Sequence, residues 1–134
     1  MELALHFLDD DYAINRFHQL TLTAFAEKNN CSVEFFDDSK ILLDEYKENS
    51  VLLPDLLFLD INMPVIDGWL FLNTFNQLFP DAKTKIAILT TSNNPSYIQK
   101  SLNYSNVLSF ELKPLKEESL EHLLSLIKSD NTQE

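Results

Sequence analysis

Four short, largely apolar runs, each followed closely by a polar side chain, constrain this chain more than any other feature. Leu3 to Leu8 ends at Asp9, Leu56 to Leu59 at Asp60 and Ile86 to Leu89 at Thr90, while Val107 to Phe110 is followed shortly by Lys113. Runs this short are strands rather than helices, and those with no polar alternation fit strands covered on both faces. Val33 to Phe36 reads as a further strand. Between the strands lie segments with helical spacing. Asn15 to Lys28 carries Phe17, Leu20, Ala24 and Phe25; Ile41 to Lys47 is shorter; and Leu70, Phe71, Phe75 and Leu78 form one stripe after Pro64 and Gly68. Ser96 to Leu102 reads as a short helix, and Leu120, Leu123, Leu124 and Ile127 follow the spacing of an amphipathic helix, with Ser129 to Glu134 as a polar tail. Strand and helix alternate five times, which predicts an α/β fold with a parallel sheet and helices on both faces. The right-handed crossover rule leaves only a few doubly wound strand orders.

The length of 134 residues suits one domain, 1–134, with no output domain expected. A formal net charge of −11 argues against a nucleic-acid partner, because phosphates attract Lys and Arg. Cys31 is the single cysteine, so neither an internal disulfide nor a zinc cluster is available, and it reads as a small apolar residue. The first residues lack a basic leader and no apolar run is long enough to span a membrane, so a soluble, cytoplasmic protein with no membrane partner is expected.

In a parallel sheet the carboxyl ends of the strands share one edge, where open α/β domains place their ligand sites. Asp9, Asp10, Asp60, Thr90 and Lys113 would therefore meet in one crevice. Three close carboxylates repel one another unless a cation intervenes. Mg²⁺ suits them, since it takes one or two carboxylates, keeps several waters and binds phosphate oxygens. Asp10 would be the direct ligand, with Asp9 close by or acting through water, and the backbone carbonyl of Asn62 would add an oxygen. Asp60 would be the nucleophile that becomes an aspartyl phosphate, with Lys113 and the Thr90 hydroxyl neutralising phosphoryl oxygens. Duller roles exist for each residue alone. Asp10 or Asp11 suits a helix cap, Asp67-Gly68 a turn or helix start, Thr90 a structural hydroxyl and Lys113 a surface charge. Their joint occurrence at the strand ends is what favours a site.

With Leu8-Asp9-Asp10-Asp11, Leu59-Asp60-Ile61-Asn62-Met63-Pro64-Val65-Ile66-Asp67-Gly68, Ile88-Leu89-Thr90-Thr91-Ser92 and Phe110-Glu111-Leu112-Lys113-Pro114 in this order, the chain resembles the receiver domain of two-component response regulators. The resemblance covers nearly the whole length. It implies a flavodoxin-like, doubly wound five-stranded sheet of order 2-1-3-4-5. It also implies Asp60 as phospho-acceptor, Asp9 and Asp10 as the metal-binding pair for Mg²⁺, Thr90 as switch hydroxyl, Lys113 as phosphate-binding lysine and Phe110 as the aromatic that follows Thr90. Asn62 and Ser92 fall where the family tunes dephosphorylation, and Lys113–Pro114 where its cis bond lies. A histidine kinase or histidine phosphotransfer protein would be the donor, and a downstream protein would read the face of the last strand and its flanking helices. The exposed apolar positions around Ile14 and Phe17 would receive the donor, unless they are ordinary core. The chain would then be a phosphorelay switch rather than an enzyme, catalysing only its own phosphotransfer and dephosphorylation. Two departures stand out: Phe110 lacks the hydroxyl of the tyrosine many members carry, and Gly68 is the only glycine.

Other readings share parts of this pattern. A receiver-shaped interaction module working without phosphate would not need the complete acidic, hydroxyl and lysine set. A small Mg²⁺-dependent phosphatase of the haloacid-dehalogenase type places Asp-x-Asp after its first strand, whereas here that strand ends in adjacent aspartates. A flavodoxin-like electron carrier would bring its flavin phosphate against Asp9-Asp10-Asp11 and repel it.

Overall fold

The computed structural model describes residues 2–132, the last two by their backbone only. Five strands alternate with five helices: β1 (Leu3–Leu8), α1 (Tyr12–Lys28), β2 (Cys31–Phe36), α2 (Ser39–Lys47), β3 (Leu56–Leu59), α3 (Gly68–Leu78), β4 (Lys85–Thr90), α4 (Pro95–Ser101), β5 (Val107–Leu112) and α5 (Glu117–Thr132). All strand pairs are parallel and the sheet order is β2-β1-β3-β4-β5, as expected.

Successive side chains on a strand face opposite ways, so each central strand feeds two cores. Leu3, Leu5 and Phe7 of β1, Leu56 and Phe58 of β3, and Ala87 and Leu89 of β4 pack on one face with α1 and α5. Leu8, Leu57, Leu59, Ile86 and Ile88 pack on the other with α2 and α3. β3 is buried throughout and β4 nearly so, which is why neither run alternates with polar residues.

The helix starts are built from short polar side chains. Asp11, Asp38, Asp67 and Asn94 cap α1, α2, α3 and α4, each accepting a backbone N–H of the first turn. Of Asp10 and Asp11, it is Asp11 that takes the capping role, and Asp67-Gly68 forms the expected helix start. Asn30, Asn49 and Val65 take left-handed backbone angles, φ 62°, 61° and 65°. Asparagine tolerates that region, whereas β-branched Val65 is strained there.

Several boundaries and faces differ from the periodic reading. α1 begins at Tyr12, β2 at Cys31, α2 at Ser39 and α5 at Glu117, and α5 continues through Ser129 to Thr132. Gln133 and Glu134, the end of the expected tail, lie outside the described residues. The inward face of α1 is Asn15, His18, Leu22 and Ala26, while Phe17 and Leu20 are 46% and 68% exposed. The inward face of α3 is Trp69, Phe71, Leu72 and Phe75, and Leu70 and Leu78 turn outward. Cys31 is buried as an apolar residue would be. Among the described residues no helix is long and apolar enough to cross a membrane.

Candidate functional site

The sheet extends its hydrogen bonding one residue past three strands, and this aligns the polar residues at its edge. Asp9 N–H donates to Phe36 O at 3.0 Å, Asp60 N–H to Leu8 O at 3.1 Å and Lys113 N–H to Thr90 O at 2.9 Å. Residues far apart in sequence thereby become neighbours. One carboxylate oxygen from each of Asp9, Asp10 and Asp60 lies within 4.8 Å of the others. Asp9 and Asp60 are buried and Asp10 is exposed.

Lys113 ties the group together. Its ammonium pairs with Asp9 Oδ2 and stands 3.2 Å from Asp60 Oδ1, with its side chain almost wholly shielded from solvent. Asp9 Oδ1 also accepts the Asp11 N–H at 2.9 Å, and Asp60 Oδ1 the Asn62 N–H at 3.4 Å. Burial, and then the charge of Asp9, raise the Asp60 carboxyl from 3.8 to about 6, with Lys113 opposing both. Three carboxylates against one ammonium leave two negative charges, all on hard oxygen donors. That donor set fits a hard divalent cation such as Mg²⁺.

Thr90 closes β4 and is completely buried; its Oγ1 accepts the Ser92 N–H at 3.4 Å. Phe110 on β5 is half-buried, paired in register with Ile88, and packs into the same core as Trp69, Tyr97 and Tyr104. Lys113–Pro114 is cis, as the resemblance implied. All five residues expected at the strand ends therefore share the carboxyl edge of the sheet, with Phe110 within the neighbouring strand.

Gly68, the one glycine, has a site-specific reason to be there. A Cβ added to it would sit 2.3 Å from Asp60 O and 2.7 Å from Ile61 Cα. Its own N–H donates to Ile61 O at 2.8 Å, so α3 starts directly against the backbone that carries Asp60. Ser39 Oγ donates to Ile66 O at 2.9 Å and holds the same loop from α2.

Two residues at this edge escape a periodic reading. Asn15 Nδ2 donates to Asp9 O at 2.8 Å and to Phe36 O at 3.1 Å. His18 Nε2 accepts the Leu115 N–H at 2.9 Å, two residues beyond Lys113. Burial, with a smaller effect from Lys113, lowers the His18 imidazole to about 4, so it is neutral at pH 7. Polar residues at i and i+3 on one helix face, where the fold calls for apolar ones, were the signal available for both.

Five parallel strands in the order 2-1-3-4-5, with helices on both faces and a polar cleft at the carboxyl edge, define the flavodoxin-like class of doubly wound α/β domain. Residues 6–125 match the family model for the response regulator receiver domain, and the chain belongs to that family. It is a signalling domain of the two-component type rather than a classical enzyme. No curated protein matched the sequence. Among solved structures, a two-component response regulator from Cytophaga hutchinsonii is similar, with TM-score 0.83, 21% identity and coverage of 96% of this chain and 99% of that one. Chemotaxis protein CheY4 of Vibrio cholerae gives TM-score 0.73, 22% identity and 95% and 99% coverage. The BeF3-activated DrrB receiver domain gives TM-score 0.73, 18% identity and 96% and 99% coverage. At these identities the likeness establishes the fold.

Proposed function

We propose that this domain is a phosphorylation switch in which Asp60 accepts a phosphoryl group from a phosphohistidine donor. The observation that carries the reading is the convergence of the Asp9, Asp10 and Asp60 carboxylates within 4.8 Å with Lys113 against two of them. Nothing in that arrangement resembles a hydrophobic binding pocket, and phosphoryl transfer needs mainly positioning and charge neutralisation.

An Asp60 carboxylate oxygen attacks phosphorus, the phosphorus–nitrogen bond breaks, and the electron pair leaves with the donor imidazole. Lys113 pairs with one phosphoryl oxygen and the Thr90 hydroxyl donates to another. Asp9, Asp10, Asp60 and the Asn62 carbonyl would hold Mg²⁺, which when bound supplies positive charge to the phosphoryl oxygens and relieves the carboxylate repulsion. Thr90, drawn toward the phosphoryl group, vacates space beside β5, and Phe110 repacks into it. The face of α4, β5 and α5 changes shape and a downstream protein reads it. A histidine kinase or phosphotransfer protein is the donor, approaching over α1, where Ile14 is half-buried and Phe17 exposed.

The test is intact-mass measurement after incubation with acetyl phosphate. Wild type should gain about 80 Da only when MgCl₂ is present, and Asp60→Asn should gain nothing. Labelling of Asp60→Asn to the wild-type extent, or no labelling of wild type at any magnesium concentration, would sink the proposal.

A further inference from the structure

α1 presents two buried polar side chains to the sheet where its other inward residues, Leu22 and Ala26, are apolar. Each of the two grips the backbone of a different site loop. Asn15 donates one amide hydrogen to Asp9 O at 2.8 Å and the other to Phe36 O at 3.1 Å. Both partners are carbonyl oxygens, so only a donor serves there, and the amide orientation follows from that chemistry. The buried Oδ1 of Asn15 has no hydrogen-bond partner among the described residues. Packing alone would be better served by leucine, so the amide is explained by its two donated bonds.

One helical turn on, His18 accepts the Leu115 N–H at 2.9 Å. Its ring is held between Phe7 and Phe17, with centroids 5.4 and 6.1 Å away. Lys113 N–H is bonded to Thr90 O at 2.9 Å, so the Lys113 backbone is fixed on both sides. The two loops gripped from α1 are those carrying Asp9 and Lys113, whose side chains pair with each other.

We infer that Asn15 and His18 are positioning residues that make α1 a strut, setting the placement of the acidic pair against Lys113. This rests on the phospho-acceptor reading of the same cleft. The two residues act on different partners, so their loss has different signatures. Asn15 fixes a loop of metal-binding carboxylates, and His18 fixes a lysine that acts on phosphoryl oxygens.

The experiment compares wild type with Asn15→Leu, His18→Leu and His18→Gln. Magnesium affinity is measured by calorimetry with MgCl₂ alone, and acetyl-phosphate labelling is measured at saturating magnesium over a range of donor concentrations. Unfolding in EDTA is followed in parallel. Asn15→Leu should weaken magnesium binding about tenfold. His18→Leu should leave magnesium affinity within about twofold of wild type while lowering the saturated labelling rate about tenfold. His18→Gln, whose amide oxygen can accept the Leu115 N–H, should recover the rate to within about threefold of wild type. Should either leucine variant fail to fold, Asn15→Ser, which keeps one donor, and His18→Gln carry the same comparison, with a smaller loss of affinity expected for the serine. Wild-type affinity and rate in folded variants, or losses of both that simply follow melting temperature, would overturn the strut while leaving the phospho-acceptor reading intact. A wild type that neither binds magnesium nor labels would remove that reading and the strut with it.

Discussion

Replacing Asp60 by Asn should stabilise the metal-free protein, and by an amount that depends on pH. In the folded state the Asp60 carboxyl lies at about 6 instead of 3.8, because burial and the Asp9 charge outweigh Lys113. The folded state thus holds the Asp60 proton more tightly than the unfolded chain does. Below pH 3.8 both states carry that proton and nothing is lost. As pH rises from there to about 6 the folded state is progressively penalised, and above 6 the penalty is complete. About two units correspond to about 3 kcal/mol at pH 7.5, and integration of the same curve gives about 0.6 kcal/mol at pH 4. Asparagine has no charge to bury at either pH. Urea unfolding in EDTA, followed by Trp69 fluorescence, should therefore find Asp60→Asn more stable than wild type by about 3 kcal/mol at pH 7.5, less whatever local relaxation recovers, and nearly equal to it at pH 4. Titrating groups remote from the cleft are common to the two proteins and cancel in the difference, whereas Asp9 and Lys113, which face Asp60, are coupled to it and do not. If the cleft takes Mg²⁺ as proposed, millimolar MgCl₂ should narrow the gap at pH 7.5, since it would bind wild type more tightly than the mutant and stabilise the form it binds. A difference that is the same at both pH values, or a mutant less stable than wild type at pH 7.5 in EDTA, would refute the electrostatic account of this cleft.

Gly68→Ala should cost about 2–4 kcal/mol and disturb labelling at Asp60, because the new methyl group meets backbone rather than a movable side chain; melting within a degree of wild type would contradict this. Val65→Gly should raise stability by about 1 kcal/mol by relieving the left-handed backbone of an exposed residue, and a lower urea midpoint would count against that strain. Burial lowers both His6 and His18 from 6.5 to about 4, so each contributes stability that is complete above pH 6.5 and lost as pH falls through about 4, up to about 3 kcal/mol apiece. Their imidazole proton resonances should stay fixed between pH 5.5 and 8, and a midpoint near 6.5 for either would show that it is not sequestered.

The parts of this fold legible in the sequence were those where burial is complete. β3 and β4 have no exposed face to blur the pattern, so Leu56 to Leu59 and Ile86 to Leu89 announce strands, and the next polar residue marks the sheet edge. The helices were harder because several faces are apolar at once. Trp69, Leu70, Phe71 and Leu72 are consecutive, and no periodicity tells which of them turns inward; tertiary packing selects Trp69 and Leu72 over Leu70. In α1 the apolar count pointed the wrong way, since Phe17 and Leu20 face out while Asn15 and His18 face in. Hydrogen bonding to loops from other elements decides that choice, and those loops are 21 and 97 residues away in sequence. The same limit applies inside the cleft. That Asp9, Asp60 and Lys113 converge follows from strand ends, but the pairing of Lys113 with both carboxylates depends on sheet register and burial.

The cost of charging Asp60 also bounds what the proposed switch can transmit. A ligand moves a two-state equilibrium only by the difference in its free energy between the states, and relief that both states share moves nothing. If the whole burial cost of about 3 kcal/mol were borne in one state and relieved in the other, the population ratio would change by about 150-fold. Couplings of about 1–3 kcal/mol are usual for such devices, the same order as that upper bound. In the proposed switch, Thr90 and Phe110 rather than the carboxylates would then set the coupling. On the proposed reading the charge cluster would provide the free energy, and the packing around β5 would determine how much of it differs between the two states.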